Sequence, residues 1–533
     1  MHAPTDPSEP APGPAPAAAG QAAGPAAGPR AGLAAGPRPA PATVPGPQPQ
    51  PRGGRAVRAA DVDDGGSAAA AVRHWIASHA HPLPDLGARA PLHYLAPLTA
   101  AVGSAQVVGI GAATRGAAEL TTLAHQLIRH LVTELGFRSL ALDEDWSKGQ
   151  QYDAYVTGAP VPGRTAPGPV DPRDLLADAW APHRSAEFLA VLLWIRAHNQ
   201  RHPDDPVRIV GLDYGAVQAH TYDAVLDHVA ATAPEHLAEL RDLYAGLRPS
   251  GPVAEHVRWY ADLPDQRPVY ARARRARERV ASLPAGPEQA LALRQARVIE
   301  GFYAYHGREG LTGGGPTGPG PARAEQTGAE RAGAERVTGE PTGSNRAATT
   351  ATSTSTTATT DADAVGGPDG TLPLMAENAI WWHHHTGQKV IFWSGLGHTA
   401  VGAPLTASFP PAPASPATRW SEGGALRRHF GAGYASVGLM FGHGRAIHAV
   451  APPSPALADA VLSTARPDAY LLDLHAPQPV AVHGWFDAPA TVRLIGPFYE
   501  AARDADYHLT GGRLTDWCDV LAWVPEVTPL DWL

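Results

Sequence analysis

The sequence predicts an α/β fold, a sheet with helices packed on its faces and a helical insertion between two of its strands. Three observations predict it. Short apolar runs recur along the chain and end in polar or glycine-rich residues. Amphipathic helical patterns lie between those runs. A long, proline-punctuated helical stretch separates the third run from the fourth. Alternation of this kind argues for strands sandwiched by helices.

The elements follow in chain order. Residues 1–70 are mostly Ala, Pro and Gly, and such a segment cannot bury enough apolar surface to offset its ordering entropy. It is expected to be a disordered tail. Residues 2–20 contain neither a basic region nor a Leu/Val/Ile-rich core, so they do not read as a secretory signal. Strands are expected at Val107–Gly111, Ser139–Asp143, Val207–Asp213, Lys389–Ser394 and Ala469–Leu474. The clearest helix is Ala118–Gly136, where Leu120, Leu123, Leu127, Leu131 and Leu135 share one face and Gly136 supplies the stop. Glu187–Gln200 is a second amphipathic helix. Residues 220–247 and 253–305 read as helical, with proline breaks near 234, 264, 268, 284 and 287.

A low-complexity block from about Gly310 to Gly370 carries a short repeat, Gly328-Ala-Glu-Arg331 and Gly333-Ala-Glu-Arg336, then a Thr/Ser/Ala run. A structureless loop of that length is improbable inside a compact domain, so it reads as a disordered surface insertion. The folded part is then 71–309 joined to 371–533.

Composition excludes several classes. The formal net charge is −9 and no Lys/Arg cluster stands out, so no nucleic-acid-binding face is expected. No run of about 18 apolar residues suggests a membrane span. Cys518 is the only cysteine, which rules out an intramolecular disulfide and an all-Cys metal site. A cytoplasmic location is the default expectation.

Four strands end in polar or glycine-rich residues, at Gly111-Ala-Ala-Thr-Arg115, Asp143-Glu144-Asp145, Gly211-Leu-Asp213 and Ser394-Gly-Leu-Gly-His398. Ligands of open α/β sheets bind beyond the carboxyl ends of the strands. Arg115, Asp143, Glu144, Asp145, Asp213 and His398 are therefore candidate site residues. The competing reading is structural, because strand-end aspartates also cap helices and hold turns.

Common motifs are absent. There is no G-x-S-x-G elbow, no H-E-x-x-H and no phosphate-binding P-loop. Gly109 and Gly111 fit the start of a dinucleotide fingerprint, but position 114 is Thr and the acidic strand end at Asp143 comes about ten residues late. His383-His384-His385 cannot converge on one ion from a helix, since neighbours point about 100° apart. No metal or cofactor is expected.

Taken in order, these segments resemble the erythromycin esterase family. Its members show a strand, G-E-x-x-H-G, a helix, E-x-G-F and a strand ending A-L-E. The counterparts here are Gly111-Ala112-Ala-Thr-Arg115-Gly116 and Glu134-Leu-Gly-Phe137 through Asp143. Trp194-Ile-Arg-Ala-His-Asn199 is similar to W-L-R-x-x-N, Gly211-Leu-Asp213 to G-x-D, and Met375-Ala-Glu-Asn378 to M-A-x-N. Phe392-Trp-Ser-Gly395-Leu-Gly-His398 resembles the strand ending W-A-H-N-x-H, and the segment from Phe430 to Gly442 resembles Y-G…S-I-G…F-G. The resemblance implies a mixed sheet flanked by helices with a deep cleft. It also implies hydrolysis of a macrolide lactone or related ester by a histidine base that a glutamate holds.

The departures fall on that chemistry. The family Glu is Ala112, its His is Arg115, and the first His of H-N-x-H is Gly395. The helix arginine is replaced by Ala124, with His125 beside it as a candidate binding residue, and the strand-end Glu is the shorter Asp143. Only His398 survives. Arginine stays protonated near neutral pH and cannot serve as a base.

Three readings follow. In the first, the protein binds a small molecule such as a macrolide or polyketide without efficient hydrolysis, and Arg115 pairs either with Asp143, Glu144 or Asp145 or with an anionic ligand. In the second, a rewired hydrolase uses His398 as base, oriented by Asp143, Asp145 or Asp213, with Arg115 stabilising the oxyanion. In the third, the low-complexity segments make it a non-enzymatic interaction protein.

Overall fold

The computed structural model describes residues 64–164, 168–307, 373–402, 405–410 and 421–533. The low-complexity insertion and residues 1–63 of the expected tail lie outside them. The first helix, Asp64–His79, begins inside the segment expected to be tail.

Among the described residues twelve strands form two sheets. They are β1 His81–Pro82, β2 Val107–Ala112, β3 Ser139–Asp145, β4 Arg208–Asp213, β5 Val390–Gly395, β6 Thr406–Ser408, β7 Tyr434–Arg445, β8 Ala449–Val450, β9 Tyr470–Asp473, β10 Val492–Arg493, β11 His508–Thr510 and β12 Val520–Val527. The main sheet runs β1-β9-β12-β7-β2-β5-β3-β4, with β8 paired to β7. From β12 to β4 every neighbouring pair is parallel, whereas β9 is antiparallel to β12 and β1 to β9. The sheet is mixed, as the sequence resemblance implied. The small sheet, β10-β11-β6, is antiparallel.

The parallel strands are buried on both faces, which explains their continuous apolar runs. The helix Ala118–Leu135 lays Leu120, Leu123, Leu127 and Leu131 against the core, and Gly136 ends it at φ 70°. Gly109 and Gly111 answer to packing. A Cβ at 109 would collide with the Tyr434 hydroxyl, and one at 111 with the Thr399 side chain and the Leu396 backbone.

The helical insertion is real and has its own core. Helices Ala219–Thr232, Leu237–Tyr244, Val253–Ala261, Arg267–Ala281 and Pro287–Tyr305 bury Tyr222, Tyr244, Tyr260 and Tyr303 together. Tyr303 is the hub: its hydroxyl lies 3.0 Å from that of Tyr222 and donates to the Leu247 carbonyl at 2.8 Å. Pro268 and Pro287 sit in the first turns of helices, so they start these elements where the sequence reading took them as breaks. Among the described residues no helix is long and apolar enough to cross a membrane.

Candidate functional site

Strand order decides which polar residues can meet. β5 lies between β2 and β3, pairing Ala112 with Gly395 and Leu142 with Trp393. The carboxyl ends carrying Arg115, Asp143 and His398 therefore adjoin. A Cβ placed on Gly395 would lie 3.7 Å from both Arg115 Nη1 and His398 Cδ2.

Arg115 follows β2 and reaches across to β3. Its Nη1 donates to Asp143 Oδ2, and its Nη2 donates to Oδ1 at 2.6 Å. Ser394 Oγ adds a third donor to Oδ2 at 2.8 Å. The guanidinium also lies over the Trp180 ring, 4.3 Å from its centroid. Burial alone would raise the Asp143 carboxyl. The Arg115 charge overrides it, with smaller contributions from His183 and His398, and holds Asp143 well below the usual carboxylate range.

The neighbouring acids do other work. Glu144 is buried, accepting from the Trp180 backbone N–H at 3.1 Å and lying 2.9 Å from His183 Nδ1. It thus fixes the segment that presents Trp180 to Arg115. Asp145 caps the helix Trp146–Thr157, accepting from Lys148 N–H at 2.8 Å. Asp213 accepts from Tyr214 N–H at 2.7 Å.

The carboxylate that meets His398 is Glu422, whose Oε2 lies 2.9 Å from Nδ1. This corrects the expectation that Asp143, Asp145 or Asp213 orients the histidine: Asp143 is saturated by Arg115 and Ser394, and the other two hold backbone. Glu422 opens the helix Glu422–Phe430, which Ser421 caps through Gly424 N–H. That Ser-Glu-Gly-Gly start is a legible helix signal, but its nearness to His398 is not. His183 also went unrecognised.

His125 does not join the site. It lies buried in the 118–135 helix, edge-on to Trp194 at 6.0 Å between centroids. Burial, aided by Arg129, pushes its pKa down to about 4. The three consecutive histidines diverge: His383 Nδ1 meets the Gln388 carbonyl, His384 faces His429, and His385 stacks on Trp381.

Beside Arg115 opens a cavity of about 740 Å³. Thr114, Arg115 and Trp180 line one part of it, and Ile447, Phe498 and Trp532 another. The bond from Ile495 N–H to the Ala113 carbonyl, at 2.9 Å, ties the segment that leaves β10 of the small sheet to the end of β2.

The family model for erythromycin esterase matches residues 132–527. The chain belongs to the erythromycin esterase family. No curated protein matches it. Three solved structures share the fold. A Bacillus cereus protein from a structural genomics programme is 21% identical, with TM-score 0.65, over 87% of this chain and 99% of its own. A succinoglycan biosynthesis protein is 19% identical, with TM-score 0.62, over 88% and 98%. A mutant of the erythromycin esterase EreC in its open conformation is 15% identical, with TM-score 0.51, over 83% and 95%. The match to the erythromycin esterase model begins inside the 118–135 helix, so Ala112 and Arg115 precede it. Strand register seats Ala112 against Gly395, and the guanidinium hydrogen bonds seat Arg115 against Asp143.

Proposed function

We propose that this protein is a ligand-binding member of the erythromycin esterase family in which family hydrolysis does not run at the β2 and β3 strand ends. The observation that carries this reading is the Arg115–Asp143 pair. Arginine has no lone pair available to take a proton from water. Asp143 is held ionised, and three donors occupy its oxygens. Ala112 offers no polar atom to orient a base. Losing a positioned general base costs about 10²–10⁴ in rate. The adjoining cavity falls within the roughly 300–1,000 Å³ typical of small-molecule sites, and its aromatic and aliphatic walls suit a macrolide- or polyketide-like body. Calorimetric titration with a panel of macrolactones, run beside a hydrolysis assay on the same panel, is the test. Binding without turnover is expected. Turnover that survives removal of Arg115 but needs a strand-end carboxylate would sink the reading.

A second reading rests on the 2.9 Å contact between His398 and Glu422. A histidine held by a carboxylate is the arrangement general-base hydrolysis requires. His398 is 29% exposed, so water reaches it. If any ester turnover exists, His398→Ala and Glu422→Gln both remove it; turnover unchanged in either variant excludes the dyad.

A further inference from the structure

Neighbouring histidines on one helix cannot converge on one ion, but the fold brings a convergent histidine to His384 from elsewhere. His384 lies in the last turn of the helix Leu374–Thr386. His429 lies in the last turn of the helix Glu422–Phe430, which packs against the first. Their Nε2 atoms stand 3.0 Å apart, with the ring centroids 5.2 Å apart. Both side chains are exposed.

Two rings this close can share one proton, with one Nε2–H donating to the other Nε2. The same approach suits a shared ion. Imidazole nitrogen binds an ion such as Zn²⁺ at about 2.0–2.1 Å. Two such nitrogens then lie about 2.9 Å apart across a right angle and about 3.3 Å apart across a tetrahedral one. The observed 3.0 Å falls between these values, so small rotations of two exposed side chains admit the ion.

Three further features favour a cation there. Both rings belong to the last turn of a helix, where the free carbonyls form the negative end of the dipole. Burial, aided by His384 and His383, holds His429 below its ordinary value, so its ring stays neutral near pH 7, the form that ligates. Phe430 packs against both rings, edge-on to His429 at 4.6 Å and stacked with His384 at 6.3 Å between centroids, which limits their motion. Arg427, two residues before His429, has its charge engaged by Asp519 at 2.6 Å.

We propose that His384 and His429 form a two-histidine site for an imidazole-seeking divalent ion such as Zn²⁺ or Ni²⁺, which clamps the C-terminal ends of these two helices together. Among the described residues no third histidine, cysteine or carboxylate completes a ligand group, so water fills the other positions. On binding, the proton that one ring holds on Nε2 passes to its own Nδ1, and both rings ligate as neutral imidazoles. Neither residue lines the cavity beside Arg115, so the site stands independently of the proposed binding role.

Calorimetric titration of the full chain, freed of metal by chelation and carrying no polyhistidine tag, tests this. One equivalent of Ni²⁺ or Zn²⁺ should bind. Mg²⁺ should not, because it prefers oxygen ligands. His384→Gln and His429→Gln should each weaken binding about ten-fold or more, since the remaining imidazole loses its chelating partner. His385→Gln, whose native ring stacks on Trp381, should bind as the native chain does. At about 100 times its Kd the ion should raise the native Tm by about 3 °C and leave that of either weakened variant nearly unchanged. Binding that survives in His384→Gln or in His429→Gln belongs to others of the chain's 25 histidines and overturns the proposal. An equal loss in His385→Gln overturns it as well, and so does the absence of binding up to about 1 mM ion, where so weak a site would be no better than scattered imidazoles.

Discussion

Replacing Arg115 by alanine should invert the pH dependence that Asp143 gives the fold. In the native protein Asp143 sits well below its ordinary value, so it stabilises at neutral pH, and that contribution is lost only as the pH falls below about 3.8 towards its folded value. In Arg115→Ala the carboxylate, 8% exposed, keeps only the Ser394 hydroxyl and the more distant histidines. Breaking a buried pair from one side costs about 3–5 kcal/mol. The cavity beside Arg115 admits water to the vacated space, which favours the lower end, about 3 kcal/mol. For a folded body of this size that lowers Tm by roughly 3–6 °C at pH 7. With the guanidinium gone, burial raises the carboxyl above its unfolded value. Its penalty is then present at neutral pH and is relieved as the pH falls and the group protonates. The stability gap between native protein and variant, read as ΔTm, should therefore narrow from pH 7 to pH 4.5, by about 1.4 kcal/mol for each pH unit by which the variant's folded value exceeds about 4.5. Thermal unfolding followed by circular dichroism across that range measures it. A constant gap, or one below a degree at every pH, would refute the account of Asp143 as a buried charge neutralised by Arg115. Arg115→Met combined with Asp143→Leu removes both charges and should cost far less than the single change.

Other expectations rest on other contacts. Gly111→Ala drives a methyl into Thr399 and Leu396 and should destabilise by roughly 1–3 kcal/mol, whereas Gly395→Ala, with nothing nearer than 3.7 Å, should stay within about 0.5 kcal/mol; urea unfolding separates them, and equal losses would contradict the packing. Burial lowers His125 to about 4, so the unfolded chain takes up its proton first and this residue costs the fold about 3 kcal/mol as pH falls from 6.5 to 4. His125→Leu should flatten that acid loss, and an unchanged pH profile would show that the imidazole is hydrated. Restoring the family residues together, with Ala112→Glu, Arg115→His and Gly395→His, should raise lactone hydrolysis by about 10² over the native chain, read as initial rates by chromatography. No gain in a folded variant would mean that the cleft has lost more than its proton-transfer groups.

Much of the sheet was legible because its strands are buried on both faces. The expected runs at 107, 139, 207, 389 and 469 became β2, β3, β4, β5 and β9 within a residue or two at most ends. β7 and β12, which lie between β9 and β2, were not read as strands. β7 is interrupted by Gly438, Gly442 and Gly444, and β12 contains Pro525, so neither presents an unbroken β-branched run. The glycines of β7 follow from close approach, since a Cβ at 438 would meet Cys518 Sγ and one at 442 would collide with the Pro525 carbonyl. The candidate site was half legible. Arg115, Asp143 and His398 stand at strand ends and could be named from position alone. Glu422 could not, because its contact with His398 spans 24 residues that carry no periodic signal. His125 misled for the opposite reason: a histidine on an amphipathic helix looks the same in sequence whether it faces a cleft or, as here, the core.

The substitutions at the strand ends are mutually consistent, and that consistency argues for replacement over decay. An arginine introduced alone opposite a short carboxylate would leave a charge needing cover. Here Ser394 adds a donor to Asp143, Trp180 covers the guanidinium, and Glu144 with His183 holds the backbone that carries Trp180. Gly395 stands beside that pair with room for a Cβ at 3.7 Å, so sterics alone do not demand the glycine. What the glycine does remove is any side chain that could compete for Arg115 or His398. A group of residues that satisfies one ion pair from every side is a second solution to the problem of burying charge at the end of a parallel sheet. It stands beside a cavity the size of a small molecule, and the Arg115–Asp143 pair belongs to the frame that holds the ends of β2 and β3 together.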